Sequence, residues 1–161
     1  MAWFVLDTSL LLGGREPPRG ARWATTPEAA AEVRPGGRDA RRFEDWRSLG
    51  LEVRQADPAR LADVDDVARR AGNLARLSRA DRSLLALALE LDATLVTDDY
   101  TMLDVARRLL VQTRTVNQEG VVDTVDWRPR CTACGRWYDE APRGDECVVC
   151  GSLVRARPWK G

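Results

Sequence analysis

The 161-residue sequence contains no histidine. That absence removes Ser-His-Asp and Cys-His catalysis and any histidine-ligated metal centre. Acid–base chemistry would fall to carboxylates or to metal-bound water. Lysine is nearly missing as well: Lys160 is the single example, so positive charge is almost all arginine, a bias that a GC-rich genome produces without functional cause. No apolar run approaches bilayer length, the densest being Leu84 to Leu91. The opening Met1-Ala-Trp-Phe-Val-Leu meets Asp7 without a basic start or a small-residue cleavage site, so a cytoplasmic protein with no membrane partner is expected. What remains is 44% hydrophobic and 31% charged with zero formal net charge, the make-up of a folded globular chain. Its length fits one ordinary domain plus a small appendage.

Short apolar runs alternate with helix signatures. Trp3 to Leu6 reads as a buried strand, turning at Asp7-Thr8-Ser9 into a short helix around Leu10 to Leu12 that Gly13-Gly14 ends. Arg15 to Arg22, with Pro17, Pro18 and Gly20, reads as a loop. Thr26 as cap and Pro27 at the first position open a helix through Val33, stopped before Pro35-Gly36-Gly37. Further helices are predicted over Asp39 to Leu49, from Asp57-Pro58 to Gly72-Asn73, from Ser78 to Leu91, and from Tyr100 with Met102, Val105, Ala106 and Leu109 on one face. Strands are predicted at Leu51 to Arg54, Ala93 to Thr97 and Val111 to Val116. Strands separated by helices pair in parallel, because the return path needs a crossover. The expected architecture is an α/β domain over residues 1–118 with a parallel sheet flanked by helices. A connecting segment over 119–129 follows, with a candidate strand at Val121 to Val125, and then a small module over 130–161.

That module holds all four cysteines. Cys131-Thr-Ala-Cys134-Gly135 and Cys147-Val-Val-Cys150-Gly151 repeat one device with twelve residues between them. A C-x-x-C turn aims both sulfurs at one ion, and the next glycine lets the backbone turn without a Cβ clash. Two such turns close a four-thiolate zinc site with no open position, which makes it structural rather than catalytic. Disulfides are the alternative, and both the spacing and the expected compartment speak against them. About thirty residues bury too little apolar surface to fold alone, so the metal is expected to supply much of the folding free energy. The tail is weakly basic. Arg136, Trp137, Arg155, Arg157, Trp159 and Lys160, with Tyr138 among them, suit phosphate contact and base stacking. The aromatics equally suit the ribbon's own small core, with Trp159 expected in solvent.

The remaining candidates are carboxylates. Asp7 follows the first strand, and Asp98 and Asp99 follow the strand begun at Ala93, both at the carboxyl edge where α/β sheets hold their sites. Asp81 lies in the first turn of the preceding helix, and Glu32 in the helix after Thr26-Pro27. Such carboxylates repel one another unless a cation binds between them, and the cluster is the usual cradle for Mg²⁺ or Mn²⁺ in phosphodiester hydrolysis. Each also has a plain structural reading. Asp7 and Asp99 suit helix caps, Asp81 the third position of a capping box begun by Ser78, and Glu32 a solvated surface.

Taken together, Val5-Leu-Asp7-Thr-Ser9, Thr26 to Glu32, Leu77-Ser-x-x-Asp81 and Val96-Thr-Asp98-Asp99-Tyr100 resemble the four motifs of PIN-domain nucleases. With the four-cysteine ribbon, the chain is similar to the archaeal Nob-type endonucleases that mature the 3′ end of small-subunit ribosomal RNA. The resemblance covers nearly the whole chain and is weakest from Arg34 to Asn73. It implies a PIN fold, Mn²⁺ or Mg²⁺ in the acidic site, and cleavage of single-stranded precursor rRNA in the pre-ribosomal particle, alongside protein assembly factors. It also implies that Asp7, Glu32, Asp81 and one or both of Asp98 and Asp99 are catalytic metal ligands. Asp98 is favoured as the direct ligand because it lies nearest the strand end, with Asp99 left to cap the next helix. Thr8 and Ser9 are lesser candidates, as hydroxyls steadying Asp7. A toxin-like PIN ribonuclease acting on other RNAs, a DNA nuclease and a non-catalytic RNA-binding assembly factor are the alternatives.

Overall fold

Alternate residues of a strand point to opposite faces, and in β1 (Trp3–Leu6) that period leaves Phe4, Val5 and Leu6 all buried, as befits a sheet covered on both sides. The structure, a computed structural model, describes residues 2–13, 20–117, 120–122 and 126–159. Most of the loop expected over Arg15 to Arg22, together with Gly14, residues 123–125 of the expected strand, and Lys160, lie outside the described residues. The chain divides into two compact units, Met1–Thr124 and Val125–Gly161.

In the first unit, β1 is followed by α1 (Thr8–Leu12), β2 (Arg22–Thr25), α2 (Pro27–Ala30), α3 (Arg38–Ser48), β3 (Glu52–Val53) and α4 (Pro58–Arg70). Then come α5 (Arg79–Glu90), β4 (Thr94–Val96), α6 (Tyr100–Arg108), β5 (Thr113–Asn117) and β6 (Gly120–Val122). The sheet order is β3-β2-β1-β4-β5-β6, parallel except for β6, which pairs antiparallel with β5 at the edge. Val5, Ala24 and Leu95 share a core with Val64, Leu85 and Met102 of α4, α5 and α6. Phe4, Leu6 and Val96 share another with Leu10, Leu11, Phe43 and Trp46 of α1 and α3. Helix α5 is the central one, with every residue from Ser83 to Ala88 buried.

Three expectations need correction. The expected loop ends in β2, and Arg22-Trp-Ala-Thr25 is an interior strand hydrogen-bonded to both β1 and β3. Helix α2 is a single turn ending at Ala30, so Glu32 lies just beyond it in a turn whose amide bonds back to the Ala29 carbonyl at 3.1 Å. Asp126 to Pro129, expected within a connecting segment, belong to β7 (Asp126–Cys131) of the second unit, which pairs antiparallel with β8 (Val154–Trp159). A two-stranded ribbon takes ladder bonds from only one edge of each strand, which is why Pro129 and Pro158 are tolerated there. On the outer edge of β7 the Pro129 carbonyl accepts from the Tyr138 amide at 2.9 Å.

Candidate functional site

Strand β1 lies between β2 and β4, so the chain leaving β1 and the chain leaving β4 turn to opposite sides of the sheet and open a crevice at their carboxyl ends. Asp7 enters it from β1, its amide bonded to the Val96 carbonyl at 3.2 Å. Thr97, directly after β4, is 1% exposed, and its hydroxyl donates to Asp7 Oδ2 at 2.8 Å while accepting from the Asp99 amide at 3.1 Å. Thr97 is therefore the hydroxyl that steadies the first carboxylate, in place of the Thr8 and Ser9 hydroxyls expected there. A buried hydroxyl at the end of a strand beside the acidic doublet was the available signal. Thr8 takes part as well: its amide bonds to the Asp7 carboxylate, and its hydroxyl is a partner of Glu32 and donates to the Ala29 carbonyl at 3.3 Å, which holds α2 against α1.

A second hydroxyl chain brings the other two acids in. Thr26 caps α2 by accepting from the Ala29 amide at 3.2 Å and meets the Ser83 hydroxyl at 2.7 Å. Ser83 donates in turn to the Ala80 carbonyl at 2.7 Å, so the Thr26 proton goes to Ser83. The start of α2 is thereby tied to the first turns of α5, and Glu32 comes near Asp81. Asp81 does close the capping box: its Oδ2 accepts from the Ser78 amide at 2.8 Å and its own amide donates to Ser78 Oγ at 3.1 Å. Oδ1 of Asp81 makes no hydrogen bond among the described residues, so capping does not use up the group.

Electrostatics define the cluster. Asp7 is raised above its ordinary value of 3.8, mainly by burial, opposed by the Thr97 hydrogen bond and reinforced by the charges of Asp81 and Asp99. Glu32 is raised by burial and by the charges of Asp81 and Asp7. Asp7, Glu32, Asp81 and Asp99 are therefore the carboxylates brought together, an all-oxygen donor set of the kind that hard divalent cations take. Asp99 also caps α6, its Oδ1 accepting from the Thr101 and Met102 amides at 2.8 and 3.0 Å, with Oδ2 left over. Asp98 goes elsewhere. Its Oδ1 accepts from the Val116 amide of β5 at 2.6 Å, and it is not among the charges acting on Asp7. Beyond the end of β4 at Val96 the two neighbours part, Asp98 going to the Val116 amide and Asp99, rather than the favoured Asp98, turning towards the cluster.

In the second unit the four cysteines form one group with all sulfurs within 4.8 Å of one another. Cys131 and Cys150 lie 3.5 Å apart and Cys134 and Cys147 3.6 Å, far beyond a disulfide bond of about 2.05 Å and close to the ~3.8 Å edge of a tetrahedron with metal–sulfur bonds of ~2.3 Å. The two turns are copies. Cys131 and Cys147 each donate an amide to the carbonyl five residues on, of Arg136 and Ser152, and Gly135 and Gly151 each donate back to the first cysteine's carbonyl. Both glycines have positive φ, +75° and +73°, which a side chain would strain. Tyr138 joins this core rather than the surface. Its hydroxyl donates to Cys147 Sγ at 3.0 Å and accepts from the Val148 amide at 3.2 Å, and the first of these bonds is the main cause pulling the Cys147 thiol down to about 6.

Antiparallel partners point to the same face, so Arg128 opposite Arg157 and Arg130 opposite Arg155 gather four guanidinium groups on one face of the ribbon. Trp159 shares that face two residues beyond Arg157. It is half-buried rather than free in solvent, meeting Trp137 edge to face at 4.9 Å. Arg128 stacks over Trp159 at 4.9 Å and Arg130 over Trp137 at 5.0 Å. Arg136 stacks over Tyr138 at 5.6 Å. Like charges placed opposite each other destabilise a ribbon. The fold uses part of this face, Arg128 pairing with Asp139 at 3.9 Å and Arg130 donating to the Gly135 carbonyl at 3.1 Å, and an anionic partner would satisfy the remaining excess of like charge. Arg128 and Arg130 were not among the residues expected there, because the strand register that adds them could not be read in advance.

Comparison with known proteins agrees with both units. The family model described as the PIN domain of ribonuclease matches residues 4–91. Endoribonuclease Nob1 of Methanothermobacter thermautotrophicus is 35% identical over 95% of this chain and 92% of its own length. Endoribonuclease Nob1 of Pyrococcus abyssi is 34% identical over 96% and 92%. Ribonuclease VapC1 of Thermoplasma acidophilum is 34% identical, over 65% of this chain and 53% of its own. The chain belongs to the PIN-domain ribonucleases and, within them, to the Nob1 endoribonucleases.

Proposed function

We propose that this endoribonuclease depends on a divalent metal and cuts single-stranded precursor rRNA at the 3′ end of the small-subunit RNA, within the cytoplasmic pre-ribosomal particle and beside protein assembly factors. The observation that carries the chemistry is the convergence of Asp7, Glu32, Asp81 and Asp99 on one crevice, two of them with raised pKa. Their oxygens would hold Mn²⁺ or Mg²⁺, which when bound lowers the pKa of a coordinated water and neutralises charge on the attacked phosphate. Thr97 fixes the orientation of Asp7, and the Ser78 and Thr101 amides fix one oxygen each of Asp81 and Asp99, leaving the other for the ion. Hydrolysis leaves a 3′-hydroxyl and a 5′-phosphate. The four thiolates hold one structural zinc. Arg136, Trp137, Arg155, Arg157 and Trp159, with Arg128 and Arg130, bind RNA and supply placement rather than chemistry. No helix among the described residues is long and apolar enough to cross a membrane.

The choice of RNA rests on the relatives that share the ribbon's length of chain, the Nob1 endoribonucleases, over VapC1, whose likeness covers 65% of it. The test is incubation of the purified protein with a short precursor RNA spanning the mature 3′ end, with and without Mn²⁺. One metal-dependent cut at the mature end is expected. Scattered cutting there, with efficient cutting of transfer or messenger RNA, would return the toxin-like reading.

A further inference from the structure

Asp98 is the one acid of the Thr97-Asp98-Asp99 sequence that the carboxylate cluster leaves unused. It lines a cleft of about 230 Å³ together with Ser9, Leu10, Gly13, Thr97 and Val116. Thr97 belongs both to this cleft and, through its bond to Asp7, to the metal site, so the two are adjacent. The exposed lining is more polar than apolar: Ser9 and Asp98 are exposed polar groups, and Leu10 and Val116 supply the smaller apolar share. The Val116 amide holds Asp98 Oδ1 at 2.6 Å, and Oδ2 has no partner among the described residues. The volume lies below the roughly 300–1,000 Å³ of pockets for drug-sized ligands and suits one flat base rather than a whole nucleotide.

A lone carboxylate beside a polyanion's binding site repels it unless the nucleic acid offers a donor, and the donors of RNA are its base N–H groups and hydroxyls. A narrow cleft with a mostly polar rim and Leu10 and Val116 beside it suits the hydrogen-bonding edge of a base. We propose that this cleft receives the base next to the scissile phosphate, and that Asp98 selects bases bearing an exocyclic amine: adenine, cytosine or guanine. Uracil has no such amine, and its ring N–H sits between two carbonyl oxygens that would face the carboxylate. Asp98 is then a specificity residue rather than a metal ligand. The proposal rests on the nuclease reading.

The test uses short single-stranded RNAs that differ only in the bases flanking the cut. It measures Mn²⁺-dependent cleavage by the full chain and, separately, binding to the Asp7→Asn protein. At one flanking position the amine-bearing bases should be preferred over uracil by about tenfold, the worth of one hydrogen bond to a charged group. Asp98→Ala should compress that preference to under twofold. Asp98→Asn, whose carbonyl still takes the Val116 amide and whose NH₂ then faces the cleft, should tilt the preference towards uracil. This second variant keeps the local fold should the first disturb β5. Wild-type cleavage blind to every flanking base, or an equal loss on all bases in both variants, overturns the proposal and leaves the nuclease reading intact. Base-dependent binding without any cleavage would overturn the nuclease reading and, with it, the placement beside a scissile phosphate, leaving the cleft as a base-binding site only.

Discussion

The two units of this chain are held by different physics. In Met1–Thr124 two apolar cores clasp a six-stranded sheet, and side chains such as Leu85, Leu95 and Val96 are fully buried. In Val125–Gly161 the buried described residues are Pro129, Cys131, Cys147 and Val154. Two of those four belong to the four-cysteine group proposed to hold zinc. Fully burying one valine stabilises by ~1.5–3 kcal/mol, which cannot offset the chain entropy of a ribbon this long. On the proposed zinc reading the metal acts as the ribbon's core, whereas in the first unit the carboxylate cluster is a burden that the core tolerates. The same element, a charged or chargeable cluster, stabilises one unit and destabilises the other.

The largest effect should come from removing zinc. Structural zinc sites contribute about 10–16 kcal/mol in small domains, more than the ribbon can replace. Chelation, or Cys147→Ser, should collapse the amide dispersion of the ribbon in NMR spectra while the cooperative melt of the first unit persists. A ribbon that stays folded in chelator with four reduced thiols would break the comparison at its root.

Asp7→Asn tests the other half. It keeps shape and can still accept from Thr97, but it withdraws one ligand charge. Metal-dependent cleavage should fall by at least about a hundredfold, the several kcal/mol that a bound metal supplies. Stability should move the opposite way. Burial raises the folded pKa of Asp7 above its unfolded value. Its contribution is thus fully present below the unfolded value, near 3.8, and is lost as pH rises through the folded one. Once ionised the buried carboxylate is a cost, so Asp7→Asn should melt higher than wild type in metal-free buffer, with a flatter dependence as pH rises from 3.8 through the folded value. Equal melting across that range would mean that the crevice is no burden.

How much of this was legible beforehand follows the same division. The α/β order, the central α5 helix and the caps at Thr26, Asp57, Ser78 and Asp99 announce themselves through apolar spacing and cap residues, which are local signals. Strand β2 does not, because Arg22-Trp-Ala-Thr25 lacks a β-branched run and abuts a proline-rich loop. Its burial comes from neighbours distant in sequence. The paired C-x-x-C turns were legible from spacing alone, yet the strands flanking them were hidden by Pro129 and Pro158. In the acidic site the residue types were visible, but the direction of each carboxylate was not. Asp98 is drawn to the Val116 amide, eighteen residues away on β5, and no local rule registers that bond.

Asp99 carries both readings at once, a cap through Oδ1 and a cluster member with Oδ2 to spare. Asp99→Asn, which still caps, should lose roughly tenfold or more in cleavage at unchanged melting temperature. Asp99→Ala should add a stability loss of about 1 kcal/mol for the missing cap. Equal melting of the two variants would show that α6 does not need its cap.

The smallest effect belongs to Tyr138, where the ribbon's metal core meets its organic one. Its hydroxyl donates to Cys147 Sγ and accepts from the Val148 amide, while the ring packs with Cys131, Cys147 and Val154. Tyr138→Phe keeps the ring and removes both bonds. Partners that hydrogen-bond to a metal ligand typically alter metal affinity by ~10–100-fold. The apolar contact here is retained, and the sulfur keeps its amide bonds from Val149 and Cys150. The lower end, about tenfold, is therefore expected in a chelator competition, with the ribbon still folded when zinc is saturating. The Val148 amide, left without its acceptor, should shift in the NMR spectrum and exchange faster with solvent. Unchanged zinc affinity together with an unchanged Val148 resonance would show that the hydroxyl lies outside the metal core. The ribbon would then depend on its four sulfurs and two glycine turns alone.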